Sequence, residues 1–336
     1  MTLGELLASA GVSHLVTVFG TRLPRAALGS AAVQLVSAPD ETCARLLATA
    51  SAELGHGIGA CWDGAVLTLL SGAAQASGTG PQAPPATPGD VLRAAEAIRR
   101  AGTGEVRLRP GFALDVPLPP GGPDRSAGSF SLTGSSAPAA PASPEDPFSP
   151  EDPFSPAAPL SRLGREPRAL ISQLAAYDDA PLTPARAATD LAGALPPGGI
   201  VVAEPGPVGL WVSQVMGPAA GTARVLRGGG EVALAGALLA CRQGRPGVAV
   251  VGSPPVGPAA TLLHLASALD VGLVVAVWGH RGGLRSGADH RERLAAALRA
   301  PGVRVIEVPV DFTSTKLLVD ALAERHGAPG PSEPDS

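Results

Sequence analysis

This sequence predicts a two-domain α/β protein, and three observations carry the prediction. Apolar runs such as 248–251 and 273–278 are nearly continuous rather than alternating, as strands buried on both faces require. Between such runs lie segments whose apolar residues recur at the helical spacing of three and four. A Pro-, Ser-, Gly- and Ala-rich stretch separates two regions that alternate in this way. The expected architecture is two mainly parallel sheets with helices on both faces, joined by a disordered linker. The boundaries read as 1–117 for the first domain, 118–168 for the linker, 169–328 for the second domain and 329–336 for a disordered tail.

In the first domain, Thr2 and Glu5 have capping-box spacing and open a helix. Strands are expected at 14–19 and 32–36. Residues 40–54 have helical apolar spacing at Cys43, Leu46, Leu47, Ala50 and Leu54. A strand at 57–62, a helix at 65–76, a helix opened by Thr87-Pro88 and a strand at 106–108 complete the domain.

The linker carries a tandem repeat, Ser-Pro-Glu-Asp-Pro-Phe, at 143–148 and 149–154. Such composition cannot bury enough apolar surface to offset its ordering entropy. The second domain resumes with helices at 183–195, 208–216, 231–242, 259–269, 290–298 and 314–324. Its strands are expected at 199–203, 223–226, 248–251, 273–278 and 303–308. Ligands of parallel α/β sheets bind at the C-terminal ends of the strands, so the loops there hold the candidate site.

Bulk properties exclude several classes. Net charge is −4, from 25 basic and 29 acidic residues, and no basic stripe suggests nucleic acid as a partner. Only Lys316 among the basic residues is lysine, and the abundance of Ala, Gly, Pro and Arg reads as GC-rich coding bias. Lone glycine patterns are therefore discounted. Cys43, Cys61 and Cys241 have no metal spacing and fit a reducing cytoplasm. The start has no signal-peptide pattern, and the apolar stretch 262–278 is broken by His264 and Asp270. A cytoplasmic protein without a membrane partner is expected.

Two constellations stand out. Gly228, Gly229 and Gly230 lie between an expected strand and helix, where backbone amides can face an anion. In a chain with 43 glycines, an unaided tight turn is the favoured explanation of this run taken alone. Asp40-Glu41 opens a helix, where acids complement the dipole whatever their function. His264 reads as a core or edge residue, while His280 and His290 flank a Gly- and Arg-rich loop from which either can reach a substrate.

The stretch Asp40-Glu-Thr-Cys-Ala-Arg-Leu-Leu-Ala-Thr-Ala-Ser-Ala-Glu-Leu-Gly-His-Gly-Ile58 resembles the pyrimidine-domain segment of the thiamine-diphosphate-dependent enzymes, the acetolactate synthase and 2-oxo acid decarboxylase family. Gly11 to Gly20 is similar to that family's opening strand. Leu182-Thr-Pro184, Ile200 to Gly206, Leu226 to Ala240, Val248 to Gly252 and Leu273 to Trp278 are similar to its diphosphate-binding domain. The resemblance implies two domains of the thiamine-diphosphate-binding type, with Glu41 as the carboxylate that activates the cofactor. Such a carboxyl group on the aminopyrimidine ring nitrogen favours the imino tautomer, whose exocyclic nitrogen then removes the thiazolium proton. It also implies cofactor contacts at Gly228, Gly229, Gly230, Gly252, Ser253, His280 and Arg281, a small 2-oxo acid as substrate, and a homodimer.

The departures are equally specific. The family's Gly-Asp-Gly reads Gly252-Ser253-Pro254, and its Asn position falls near Gly279-His280. Serine is a poor Mg²⁺ ligand, so the resemblance implies a scaffold that has lost its metal site. Arg227, Arg281 and Arg285 are candidates to supply the missing positive charge; a solvated loop is the plain alternative. The family's central domain is also absent. Two readings follow: an active decarboxylase or carboligase, or an inactive descendant that binds a ligand or a protein partner.

Overall fold

The computed structural model describes residues 2–21, 23, 25–29, 32–71, 85–110, 166–217, 222–279 and 282–325. The tandem repeat, most of the expected linker, the tail, His280 and Arg281 lie outside the described residues. In chain order the elements are α1 (Leu3–Ser9), β1 (Val12–Val18), α2 (Arg25–Leu28), β2 (Gln34–Ala38), α3 (Glu41–Ser51), β3 (Ile58–Trp62), β4 (Leu67–Ser71), β5 (Pro85–Ala86), α4 (Pro88–Ala101) and β6 (Gly104–Pro110). There follow α5 (Pro167–Ala175), α6 (Pro184–Ala194), β7 (Ile200–Ala203), α7 (Pro207–Met216), β8 (Ala223–Val225), α8 (Gly229–Arg242), β9 (Gly247–Val251), α9 (Pro258–Ala268), β10 (Leu273–Gly279), α10 (Gly287–Arg299), β11 (Val303–Pro309) and α11 (Thr315–Arg325). The fold is α/β, with two mainly parallel sheets flanked by helices.

The chain forms two compact units. One comprises residues 1–137 with 226–243 and 255–271, and the other comprises 138–225, 244–254 and 272–336. In the first unit the sheet order is β2-β1-β3-β4-β6-β5. Strand alternation sorts its side chains. Leu15, Ile58, Ala60, Trp62, Leu67, Leu69, Val106 and Leu108 join the core with Leu3, Leu6 and Leu7 of α1 and Val91, Ala94 and Ile98 of α4. Gly59 faces the opposite way, against α3. Helix α3 in turn packs on α8 and α9. Its Ala44, Ala48 and Ala50 are buried, and small side chains let backbones approach closely. The Arg45 guanidinium forms a two-pronged ion pair with Glu105 of β6, fastening α3 across the sheet.

In the second unit all five strands are parallel, in the order β11-β10-β9-β7-β8. Val201, Ala203, Val248, Val250, Ala276, Trp278 and Val308 share a core with Trp211 of α7, Leu191 of α6, Leu294 of α10 and Leu318 of α11. Val202, Ala249, Val275 and Val277 point to the other face and are buried as well. Both faces are covered, which explains the uninterrupted apolar runs. A charged cluster pins α6 to α10. Asp190, with its side chain 1 % exposed, accepts from Arg186 Nε at 3.0 Å and pairs with His290 Nδ1 at 3.1 Å. Breaking one partner of such a buried set is far more costly than its net worth.

Several expectations hold locally. The expected capping box of Thr2 with Glu5 forms, and Thr87-Pro88 and Thr183-Pro184 open α4 and α6 as expected; the structure adds a second capping box, Thr87 with Asp90, and Thr183 accepts from the Arg186 N–H at 3.1 Å. One element is corrected. Within the expected helix at 65–76, Leu67–Ser71 is instead strand β4, antiparallel to β3, and residues 72–76 lie outside the described residues. The Asp63 carboxylate accepts from the Ala65 and Val66 N–H groups and closes a tight turn that the apolar run alone does not signal. The expected helix at 40–54 also stops early. After Ser51 the chain makes a π-helical turn, Ala52–His56, with Gly55 at φ 116°. His290 is fully buried against Asp190 rather than presented to a substrate, which corrects the expectation for it.

The tightest backbone approach gives a direct test. A Cβ at Gly59 would stand 1.9 Å from the Ala48 carbonyl oxygen, whereas a Cβ at Gly193 on α6 would meet nothing within 4 Å. Gly59→Ala should therefore cost roughly 3 kcal/mol, the upper range for overpacking. Gly193→Ala should gain about 0.5–1 kcal/mol. Urea denaturation midpoints check both, and a Gly59→Ala chain as stable as the native one would sink this account of α3 packing.

Candidate functional site

In the first unit, Glu41 begins α3 directly after β2 and its Asp40 cap. Two adjacent acids divide the work at this helix end. Asp40 is the N-cap, its Oδ1 accepting from the Cys43 N–H at 2.7 Å. That leaves the Glu41 carboxylate out of the cap, and 56 % of its side chain is exposed. Its ionic neighbour is Arg107 of β6, with Nη2 at 3.9 Å from Oε1; the same Arg107 atom lies 3.9 Å from Asp63 Oδ2. Arg107 is a residue that sequence reading missed, because only strand pairing brings β6 beside the segment that follows β2 and β3.

The glycine turn opens α8 as expected. Gly228 is the N-cap, without a side-chain cap of its own, and Gly229 has φ 82°, a conformation suited to glycine. A Cβ at Gly228 would fall 2.2 Å from Val232 Cγ2, so packing also demands glycine there. The carboxylate at this turn is Glu53, not Glu41. Glu53 Oε2 accepts from the Arg227 N–H at 2.6 Å, while Oε1 is buried without a hydrogen-bond partner. Burial pushes the Glu53 carboxyl above the ordinary glutamate range, against the opposing pull of the Arg227 N–H and charge.

In the second unit, the C-terminal strand edge holds Gly252-Ser253-Pro254 after β9 and Glu204 after β7. Glu204 Oε1 accepts from the Gly252 N–H at 2.7 Å. A Cβ at Gly252 would stand 2.7 Å from that same oxygen, so glycine leaves room for the carboxylate. Burial raises the Glu204 carboxyl, and the Gly252 N–H opposes the rise. The only sequence signal for Glu204 was an acid immediately after a continuous apolar strand. Ser253 and Arg285 are exposed at this edge, and the Arg285 N–H donates to Asp289.

The donor chemistry can be tested against what the resemblance implies. Among the described residues, no group of three or more His, Cys, Asp or Glu is placed to hold a metal ion. The hydroxyl of Ser253 replaces a carboxylate, and the adjacent Gly252 amide already serves Glu204. Mg²⁺ bridging a diphosphate does not fit this donor set. Thiolate chemistry is also excluded at neutral pH for two cysteines: burial, with Asp40 beside it, pushes Cys43 to about 12, and burial pushes Cys61 to about 12. Among the described residues, no helix is long and apolar enough to cross a membrane.

No protein-family model matches this chain, and no curated protein does. Among solved structures, the chain is similar to a Mycobacterium smegmatis protein described as a thiamin diphosphate-dependent enzyme. The identity is 18 %, covering 40 % of this chain and 33 % of that one, with a TM-score of 0.34. It is also similar to the thiamine diphosphate-dependent 4-hydroxybenzoylformate decarboxylase of Rhodococcus jostii RHA1. Here the identity is 18 %, covering 39 % and 33 % of the two chains, with a TM-score of 0.34. The matched region thus spans about a third of the length of each of these structures.

The raised Glu204 carboxyl has a consequence for stability. Below the ordinary glutamate value of 4.5 it is neutral in the folded and unfolded chain alike. As pH climbs through its raised folded value, ionisation costs more in the folded state, and stability falls. Glu204→Gln removes that loss while keeping an acceptor for Gly252. The variant should match the native chain near pH 4 and become the more stable of the two by about pH 7. Urea unfolding at both pH values measures this; a difference that does not change with pH rejects it.

Proposed function

We propose that this chain is a thiamine-binding protein on the two-domain scaffold of thiamine-diphosphate-dependent 2-oxo acid decarboxylases and acetolactate synthases. Glu41 is the residue that engages the aminopyrimidine. One observation carries the reading. With Asp40 taking the helix cap, Glu41 presents a largely exposed carboxylate at the end of β2, at the start of a helix otherwise packed on both sides. A carboxyl group so placed can share a proton with a ring nitrogen, which is the recognition an aminopyrimidine needs. Arg107 Nη2, 3.9 Å from Oε1, is the cation beside this carboxylate.

The chemistry such a ligand serves is decarboxylation or carboligation of a 2-oxo acid, and the homodimer implied by the resemblance belongs to the same proposal. A second reading, a descendant that binds without turnover, is favoured by a specific observation. The strand edge offers Ser253 where the family's metal-binding Asp would stand, and no described cluster replaces it.

Calorimetric titration of the full chain with thiamine and with thiamine diphosphate, beside the Glu41→Gln variant, tests the reading. Binding that weakens by about tenfold or more in the variant is expected for at least one of the two ligands, the loss of a charged hydrogen bond. No binding of either by the native chain removes the aminopyrimidine reading. Release of CO₂ from a 2-oxo acid by the loaded protein then separates the active reading from the silent one.

A further inference from the structure

Strand β1 breaks its own alternation. Successive side chains of a strand point to opposite faces, so Ser13 and His14 should diverge. Instead Ser13 Oγ and His14 Nδ1 meet at 2.8 Å. The cause is a bulge against β3. Val12 pairs with Ile58 and Leu15 with Ala60, so Ser13 and His14 together oppose Gly59. Val12 and Leu15 accordingly both join the core shared with α1 and α4, although regular alternation would send them to opposite faces. Bulges re-aim side chains in this way, and they recur beside active sites. The segment packed against the pair is irregular too. Helix α3 ends at Ser51 and passes into the π-helical turn Ala52–His56, a feature frequent at functional sites.

The imidazole so placed is held at both nitrogens. Nδ1 lies 2.8 Å from Ser13 Oγ and 2.9 Å from Ser51 Oγ, and Nε2 lies 3.1 Å from the side-chain amide of Gln243 at the end of α8. All four residues belong to the first unit. His14 is 2 % exposed and Ser51 is fully buried, whereas Ser13 is half-buried. Ser13 is therefore the hydroxyl of the two that is open to a reactant. The Gln243 carboxamide can present either end to Nε2. With its oxygen accepting the Nε2–H, the Nδ1 lone pair faces the Ser13 hydroxyl. That is the arrangement of a nucleophile, a general base and a group that orients the base. The C-terminal end of α8, capped by Gln243, carries partial negative charge and stabilises the imidazolium that forms as the base takes a proton.

We propose that Ser13 is a nucleophile for acyl transfer from activated esters or thioesters, with His14 as its general base and Gln243 as the residue that positions the base. The Ser13 hydroxyl gives its proton to His14 Nδ1 while Oγ bonds to the acyl carbon. The bond from that carbon to the leaving oxygen or sulfur breaks, and the leaving group takes the proton from Nδ1. The products are acyl-Ser13 and an alcohol or thiol. This site is separate from Glu41. Helix α3 rises about 1.5 Å per residue, so its two ends, Glu41 and Ser51, stand about 15 Å apart. The proposal is thus independent of the aminopyrimidine reading.

The full chain is incubated with p-nitrophenyl acetate, or with a fluorophosphonate that reports serine nucleophiles, and the modified residue is located by mass spectrometry. The native chain is expected to carry the label on Ser13, and Ser13→Ala to lose it. His14→Gln should slow labelling about 100-fold or more, the usual contribution of a general base. Free imidazole should restore part of the rate in His14→Ala, which a merely structural role of the ring does not explain. Gln243→Ala should slow labelling and Gln243→Glu recover it, because a carboxylate also accepts the Nε2–H. Circular dichroism melts establish that each variant is folded. The Gln243 pair, at an exposed position, remains the readout if a His14 variant is not. A native chain left unmodified at Ser13, label found on Ser51 instead, or a rate unchanged in every folded His14 and Gln243 variant overturns the proposal.

Discussion

The first unit depends on one close approach. The Ala48 carbonyl of α3 rests where a side chain at position 59 of β3 would be. Only glycine permits that distance, and the distance lets α3 lie flat on the sheet while α8 and α9 pack on its other side. A helix enclosed on both sides must be small and apolar around most of its circumference, and α3 buries Cys43, Ala44, Leu47, Ala48, Thr49, Ala50 and Ser51. Its one polar end therefore carries its chemistry: Asp40 closes the backbone and Glu41 projects from it. The short reach of α3 and its ion pair from Arg45 to Glu105 fix where Glu41 stands.

The second unit solves a different problem with the same means. Five parallel strands bury both faces, so polar groups gather at the strand ends and in one internal cluster. The cluster of Arg186, Asp190 and His290 binds α6 to α10, and Arg186 also reaches Asp178 at 2.5 Å. A Cβ at Gly287 would sit 2.5 Å from the Arg186 guanidinium, so the start of α10 is moulded onto that charge. At the strand edge, Glu204 and Gly252 form a second fixed contact. Carboxylates near strand ends and helix ends are thus structural partners in this protein as much as candidate chemical groups.

This changes the meaning of the glycine-rich signals. A turn such as Gly228 to Gly230 predicts amides at a helix start, and that much is present. Which carboxylate stands beside such a turn is set by side chains far away in sequence. Glu53 is 174 residues from Arg227, and Glu204 is 48 from Gly252. Scaffold and ligand are therefore separable questions, as expected when function lies in sites carried by a common fold.

Several features were decided by the sequence alone. Continuous apolar strands alternating with capped helices dictate parallel α/β layers, because such strands are stable only when both faces are covered. The capping residues Thr2, Thr87 and Thr183 and the Asp40-Glu41 helix start are local, since each satisfies backbone groups within three or four residues. Tertiary structure decided the rest. Whether residues 67–71 extend or coil depended on a partner strand and on the Asp63 turn, because a short apolar run suits either state. Arg107 beside Glu41, His290 buried on Asp190, and the two carboxylates on the Arg227 and Gly252 amides all arise between residues distant in sequence. Hydrogen bonds and charge pairs of that kind are governed by distance in space, which no local pattern encodes.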